Sequence, residues 1–282
     1  MAEEARRKAP TVREARVLRT ERITPHMVRI VIGGESLAAV QCGEFTDHYV
    51  KVVFGLPGVS YPEPFDMERI REELPREQWP AMRSYTVRAW DPEALEMTLD
   101  FVVHGDEGLA GPWAARAVPG DVVRFAGPGG LYAPPPEAGW HLLAGDESAL
   151  PAIAASLERV PDGVPVHAFV EIEGPAEEQK IACPDGVEVT WLHRGGRPVG
   201  EAVVAAVREL DFPSGDVHAF VHGEAAFVKE LRRHLRQERQ VPRERLSISG
   251  YWRLGHTDEA WRAVKREWNA QVEREQESQA SA

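Results

Sequence analysis

Six consecutive residues, Arg83-Ser84-Tyr85-Thr86-Val87-Arg88, bring together two guanidinium groups, two hydroxyls and a phenol ring. On a strand, Arg83, Tyr85 and Val87 share one face while Thr86 and Arg88 take the other. Arginine holds a pyrophosphate through paired hydrogen bonds, an aromatic ring stacks on an isoalloxazine, and a hydroxyl or backbone amide donates to a flavin N5. A solvated edge strand carries the same residue types, so this segment alone leaves both readings open. Downstream, Asp100-Phe101-Val102-Val103-His104-Gly105 ends a strand, and a turn follows at residues 108–112. A helix is expected to begin at Trp113-Ala114-Ala115-Arg116, with free amides able to bind phosphate. Strand end, glycine turn and helix start together form a pyrophosphate cradle with Ala110, Gly111, Trp113 and Ala114 as its candidate contacts. His104 by itself reads as a satisfied polar residue at the strand end.

The second half of the chain offers a different set. Gly145-Asp146-Glu147-Ser148-Ala149 occupies the first strand-to-helix turn, where Ser148 can cap the helix and the following amides can face a phosphate or ribose. The sequence lacks the Gly-X-Gly-X-X-Gly fingerprint of dinucleotide sites in this half. His222-Gly223-Glu224 lies at a later strand end on the same sheet edge, next to a topological switch. His193 and Arg194 end another strand, where Arg194 can hold a ribose 2′-phosphate or serve as a surface arginine. The basic run Arg232, Arg233, His234 and Arg236 reads as a solvated helix face.

Two regions of different period must position these residues. From Val12 to about Gly130, apolar residues alternate: Val28, Ile30 and Ile32, then Val50, Val52 and Phe54, then Leu95, Met97, Leu99, Phe101 and Val103. A period of two throughout implies an antiparallel sheet or barrel. A turn at Asp91-Pro92-Glu93 joins two of its strands. Residues 57–80, rich in proline and acid, read as a surface excursion with one short helical turn capped by Asp66. Residues 134–139 include three successive prolines and mark a stiff linker between a domain at 1–133 and one at 140–282. Short apolar runs then alternate with helical ones, the pattern of a parallel sheet covered by helices. A last helix is expected to start at Thr257 as N-cap, align Trp261, Val264, Trp268 and Val272 on one face, and fray beyond Glu273.

Composition narrows the classes. The 282 residues include 33 Lys and Arg against 45 Asp and Glu, a formal charge of −12 that argues against a dedicated nucleic-acid binder. A hydrophobic content of 43% is enough to bury a real core. Cys42 and Cys183 are the sequence's two cysteines, too few and too far apart for a disulfide framework, a zinc site or an iron–sulfur site. Redox chemistry therefore calls for a bound organic cofactor, and no metal site is expected. No run is long enough to cross a bilayer, and Met-Ala-Glu-Glu-Ala-Arg-Arg-Lys has no apolar core for a signal peptide, so no membrane insertion and a cytoplasmic location are expected.

From about Val12 to Trp268 the sequence resembles the siderophore-interacting proteins, flavin-dependent ferric-siderophore reductases of the ferredoxin-reductase-like superfamily. The resemblance rests on Asp47-His48-Tyr49-Val50-Lys51, Arg83 to Arg88, Asp100 to Gly105, Trp113-Ala114 with Pro119-Gly120-Asp121, Gly145 to Pro151, Trp191-Leu192-His193-Arg194, and Gly250-Tyr251-Trp252-Arg253. It departs from the family at Gly108-Leu109-Ala110-Gly111-Pro112, where Gly-Pro-Ala is usual. The resemblance implies FAD in an N-terminal Greek-key barrel and NADPH or NADH on a C-terminal α/β domain with a parallel sheet. Electrons then pass to chelated ferric iron, which leaves as Fe(II) because hard oxygen chelators hold it less well. It also implies that Trp252 covers one flavin face, and that a ferric siderophore, often anionic, is met by cations, for which Lys51 and Arg253 are the candidates. Two other readings stay open: a general flavin-dependent NAD(P)H oxidoreductase using a quinone, free flavin or iron–sulfur acceptor, and a module that binds a ferric siderophore without turnover.

Overall fold

The computed structural model describes residues 9–106 and 108–280, with side chains described through Glu275. The chain divides into two compact units, one ending at Leu131 and the other beginning at Tyr132. The first contains β1 (Val12–Thr24), β2 (Met27–Gly33), β3 (Tyr49–Phe54), α1 (Met67–Glu73), β4 (Ala81–Asp91), β5 (Glu96–Val102), α2 (Ala110–Ala114) and β6 (Val122–Gly129). The strands close an antiparallel Greek-key barrel in the order β1-β2-β5-β4-β3-β6. Closure leaves no strand edge unpaired, and the alternation read from sequence turns Ile30, Ile32, Val50, Val52, Met97 and Leu99 into the barrel core, where Phe125 of β6 joins them. Asp66 caps α1 as expected, its Oδ1 accepting from the amides of Glu68 and Arg69. Gly127 has φ of +121°, and a Cβ there would sit 3.1 Å from the Tyr49 carbonyl oxygen, so glycine allows β6 to approach β3.

The second unit contains β7 (Trp140–Asp146), α3 (Leu150–Leu157), β8 (Val166–Ile172), β9 (Val189–His193), α4 (Glu201–Glu209), β10 (Val217–Glu224), α5 (Ala225–Arg233), β11 (Leu246–Trp252) and α6 (Asp258–Ala280). Its five strands are parallel in the order β11-β10-β7-β8-β9. β7 is central and buried along its whole length, so His141 and Asp146 are buried together with its apolar residues. The chain leaves β7 toward β8 and β9, then returns to lay β10 on its other side. The topological switch therefore falls between β7 and β10. Val203, Val207, Phe227 and Leu231 pack with Trp140 and Leu142 in one core cluster, while Ile153 and Leu157 pack with Leu143, Val170 and Phe220 in another.

The ends of α5 and α6 are set by their surroundings. α5 ends at Arg233 and passes into one π turn over His234–Glu238. α6 continues to Ala280 instead of fraying beyond Glu273, because Glu273 pairs with Arg243 and Arg232 and Glu275 pairs with Lys229. Thr257 Oγ1 accepts from the Ala260 amide, consistent with its expected capping role. Trp261 and Val272 are buried, but Val264 is 39% exposed. At 3.6 residues per turn it lies about 60° from Trp261, and Lys265 takes the inward position instead. No helix among the described residues is long and apolar enough to cross a membrane.

Candidate functional site

Two groups of candidate residues are described, each within its own unit. On the barrel, β4 pairs with β3 so that Arg83 faces Val52, Ser84 faces Lys51, Tyr85 faces Val50 and Thr86 faces Tyr49. Cross-strand partners share a face. Arg83 and Tyr85 thus lie on the side of the buried Val52 and Val50, and Ser84 lies beside Lys51. The Tyr85 ring is 4.0 Å from that of Phe101, which in turn meets Trp113 at 5.4 Å. Phe101 is fully buried, so it is the floor beneath Tyr85 and its ring is not available as a cofactor contact. Tyr85 itself is half-buried, as are Arg83 and Arg88, while Thr86 is buried.

Other barrel candidates are already engaged. Both Asp100 oxygens accept from Arg29, at 2.7 Å from Nε and 2.8 Å from Nη2, and the carboxylate side chain is 2% exposed. Asp100 therefore ties β5 to β2. The Val103 amide donates to the His26 carbonyl at 2.8 Å, Val102 is half-buried, and His104 is exposed with its ring stacked 6.3 Å from His26. The helix expected to begin at Trp113 is α2, which begins at Ala110 and ends at Ala114. The Trp113 amide already donates to the Leu109 carbonyl, and Pro112 has no N–H, so the amides at the head of α2 are those of Ala110 and Gly111. Pro112 suits the first turn because no intrahelical bond is lost there. His48, next to Asp47 and just before β3, is buried with Nε2 lacking any hydrogen-bond partner. A buried polar atom of this kind suits a bound polar group.

In the second unit the C-terminal sheet edge is organised by Asp146. Its carboxylate is fully buried and accepts from the Ser148 amide (2.9 Å), Ser148 Oγ (2.5 Å), the Glu224 amide (2.8 Å) and Trp252 Nε1 (2.8 Å). It ties the ends of β7, β10 and β11 together across the switch. Gly223, φ +140°, admits this contact: a Cβ there would lie 2.6 Å from Asp146 Oδ2. Gly145 is equally confined, with Ala149 Cβ at 2.6 Å from its own would-be Cβ. Ser148 was expected to cap α3, yet Ala149 is the N-cap and Ser148 serves Asp146. Glu224 caps α5 through Oε2 and accepts the Leu254 amide on Oε1, so it is a positioning group.

Arg194 is not open to a phosphate in this structure. Its Nη2 donates to both Glu147 oxygens at 2.9 and 2.8 Å, and its Nε donates to Glu171 at 3.0 Å. Glu171 is fully buried and also accepts from the amides of Gly200, Ala202 and Val203, capping α4 from a neighbouring strand. His193 pairs with Glu178 at 2.7 Å. Sequence reasoning missed Glu171, although an acid inside the apolar run of β8 was a visible signal. Arg253 places its guanidinium over the Trp261 ring at 5.8 Å.

His222 stacks on Phe220 (3.9 Å) and meets the tilted ring of Tyr251 (4.8 Å), with Nε2 against Ser247 Oγ at 2.9 Å and Nδ1 unpartnered. It is a buried neutral group, its pKa pushed down to about 3 by burial and then by the Lys265 charge. Burial and then His218 bring His141 down to about 4, whereas burial lifts Asp146 to about 6. The signs oppose. Below pH 6.5 the unfolded chain takes up two protons that folded His141 and His222 refuse, while between pH 6 and 3.8 folded Asp146 takes one that the unfolded chain refuses. These three groups together should lower stability by about 1.4 kcal/mol per pH unit between pH 6 and 4, and His167 and His218, also pushed down by burial, act in the same direction. Urea midpoints measured at pH 7.5, 6 and 4.5 check this; a flat profile over that range contradicts it.

Two family models match the chain: the siderophore-interacting FAD-binding domain over residues 16–132 and siderophore-interacting protein over residues 138–255. An uncharacterized protein of Mycobacterium tuberculosis is 44% identical over 89% of this chain and 93% of its own length. The ferric vibriobactin reductase ViuB of Vibrio cholerae is 31% identical, covering 86% and 90%, and the NADPH-dependent ferric-chelate reductase of Escherichia coli is 34% identical, covering 85% and 92%. The crystal structure of a siderophore utilization protein from T. fusca superposes with a TM-score of 0.76 at 36% identity, covering 88% of this chain and 95% of that one.

Proposed function

The chain belongs to the siderophore-interacting protein family, and we propose that it is a flavin-dependent NAD(P)H reductase of ferric siderophores. The observation that carries this reading is the half-buried Tyr85 ring laid on the buried Phe101, within the arginine-flanked strand of the unit matched by the FAD-binding model. A bound FAD would supply two-electron acceptance from a hydride donor and one-electron transfer to chelated ferric iron. Tyr85 stacks against the flavin ring, Thr86 bonds at its polar edge, and Arg83 holds the pyrophosphate with the amides of Ala110 and Gly111. His48 Nε2 is a further polar contact for the same group. In the second unit the nicotinamide donor is met at the sheet edge formed by Gly145, Asp146 and Gly223, where parallel sheets receive ligands. Asp146 holds Trp252 and the ends of three strands in one arrangement, so that edge needs little reordering on binding.

Lys51 and Arg253 are the proposed cations for an anionic ferric chelate. The whole chain carries −12, so capture depends on local positive charge acting within a screening length of about 8 Å. The test is turnover of the purified, FAD-loaded protein with a ferric siderophore, NADPH or NADH, and a ferrous-specific chromogenic chelator. Fe(II) capture that requires all three components is expected. Nucleotide oxidation without Fe(II) release would move the assignment to a general oxidoreductase, and failure to take up flavin would leave a binding module. Lys51→Glu and Arg253→Glu should raise KM for an anionic chelate more than for a neutral one, with flavin content unchanged.

A further inference from the structure

The basic run on α5 does not form a solvated face. Lys229, Arg232 and Arg236, spaced i, i+3 and i+7, turn toward a cavity of about 230 Å³, and Arg243 enters it from the loop before β11. Only Arg233 of the run's arginines is exposed to solvent; the Arg232 side chain is 19% exposed. Leu246 and Ile248 of β11 and Trp268 of α6 supply apolar wall.

The described lining of this cavity is mostly cationic where it is charged. Among the described residues lining it, four are cationic and one, Glu273, is anionic. That single carboxylate is shared by Arg243 at 3.1 Å and Arg232 at 3.5 Å. Lys229 has its own partner, Glu275, at 2.7 Å, and Arg236 Nη1 donates to the Val241 carbonyl at 2.6 Å. Counting Glu273 and Glu275, the described residues at the cavity carry four positive charges against two negative, in a chain whose total is −12. Four cations facing one cavity beside an apolar wall make the local potential positive and favour an anion there. The π turn that carries Arg236 interrupts the regular helical ladder beside the same cavity, a feature that recurs at binding sites.

We propose that this cavity binds a small aromatic carboxylate, its carboxylate between Arg232, Arg236 and Arg243 and its ring against Ile248 and Trp268. The volume corresponds to about eight waters, which suits one or two fused rings and excludes a dinucleotide. The site is separate from the Asp146 edge of the sheet, and its ligand competes with Glu273 for the two arginines it shares.

Isothermal titration of the full chain with 2-naphthoate tests this, with 2-naphthamide as the neutral analogue and inorganic phosphate as the anion without a ring. Saturable naphthoate binding is expected, with the amide at least about tenfold weaker and Arg236→Gln or Arg243→Gln each weakening naphthoate about tenfold. Phosphate at equal concentration should not displace it. Arg243 is exposed, so its variant keeps the fold and decides the matter if Arg236→Gln does not. Equal binding of naphthamide, undiminished binding to the Arg243→Gln protein, displacement by phosphate, or no saturable heat would each overturn the proposal.

Discussion

Tyr85→Ala protein should leave purification nearly free of flavin, while Tyr85→Phe protein retains it. The ring is half-buried, is backed by Phe101 at 4.0 Å, and stands between Arg83 and Arg88 on β4. Stacking on an isoalloxazine buries most of one ring face, and loss of an aromatic side chain with its stacking costs about 2–4 kcal/mol of binding. That corresponds to FAD retention weakened by roughly 30- to 1000-fold. Thr86→Ala removes one hydroxyl and should cost about tenfold at most. The barrel is expected to stay folded, because its core is built from Ile30, Val50, Leu99 and Phe125 and Tyr85 only borders it. Flavin absorbance per protein, measured beside a circular dichroism spectrum, checks the prediction. A Tyr85→Ala protein with full flavin content would remove the stacking role from this residue while leaving the family assignment in place.

Glu171→Ala should be among the most destabilising single changes in the second unit, at about 3–5 kcal/mol. The substitution leaves the Arg194 guanidinium without one of its two carboxylates and strips the amides of Gly200, Ala202 and Val203 of their acceptor in a fully buried setting. Each of those losses exposes a desolvated donor with no replacement partner. Glu147→Gln, at a side chain 13% exposed, should cost less, because Glu171 still holds Arg194. Urea unfolding followed by far-ultraviolet circular dichroism measures both. A Glu171→Ala loss below about 1 kcal/mol would mean that water or a neighbouring group reaches those donors.

The sequence by itself determined the architecture. Alternating apolar residues such as Val50, Val52 and Phe54 specify a strand with one buried face wherever it lies, and Asp66 or Thr257 caps a helix through amides two or three residues away. Such signals are local, so the antiparallel barrel, the parallel sheet and the starts of α1 and α6 were legible. The candidate strand at Arg83 was legible for the same reason. Which polar groups remain open to a ligand was decided only by the tertiary structure. Asp100 is closed by Arg29 from 71 residues away, Arg194 by Glu147 from 47 residues away, and Asp146 receives Trp252 from 106 residues away. A carboxylate or guanidinium shows the same chemistry in a sequence whether it faces solvent or a buried counter-charge. The basic run on α5 makes the same point in reverse: its composition suggested a solvated face, and the packing of α6 and β11 beside it made it the wall of a cavity. Long-range pairing of charges depends on the register of distant strands, and burial then sets the energy of each pair.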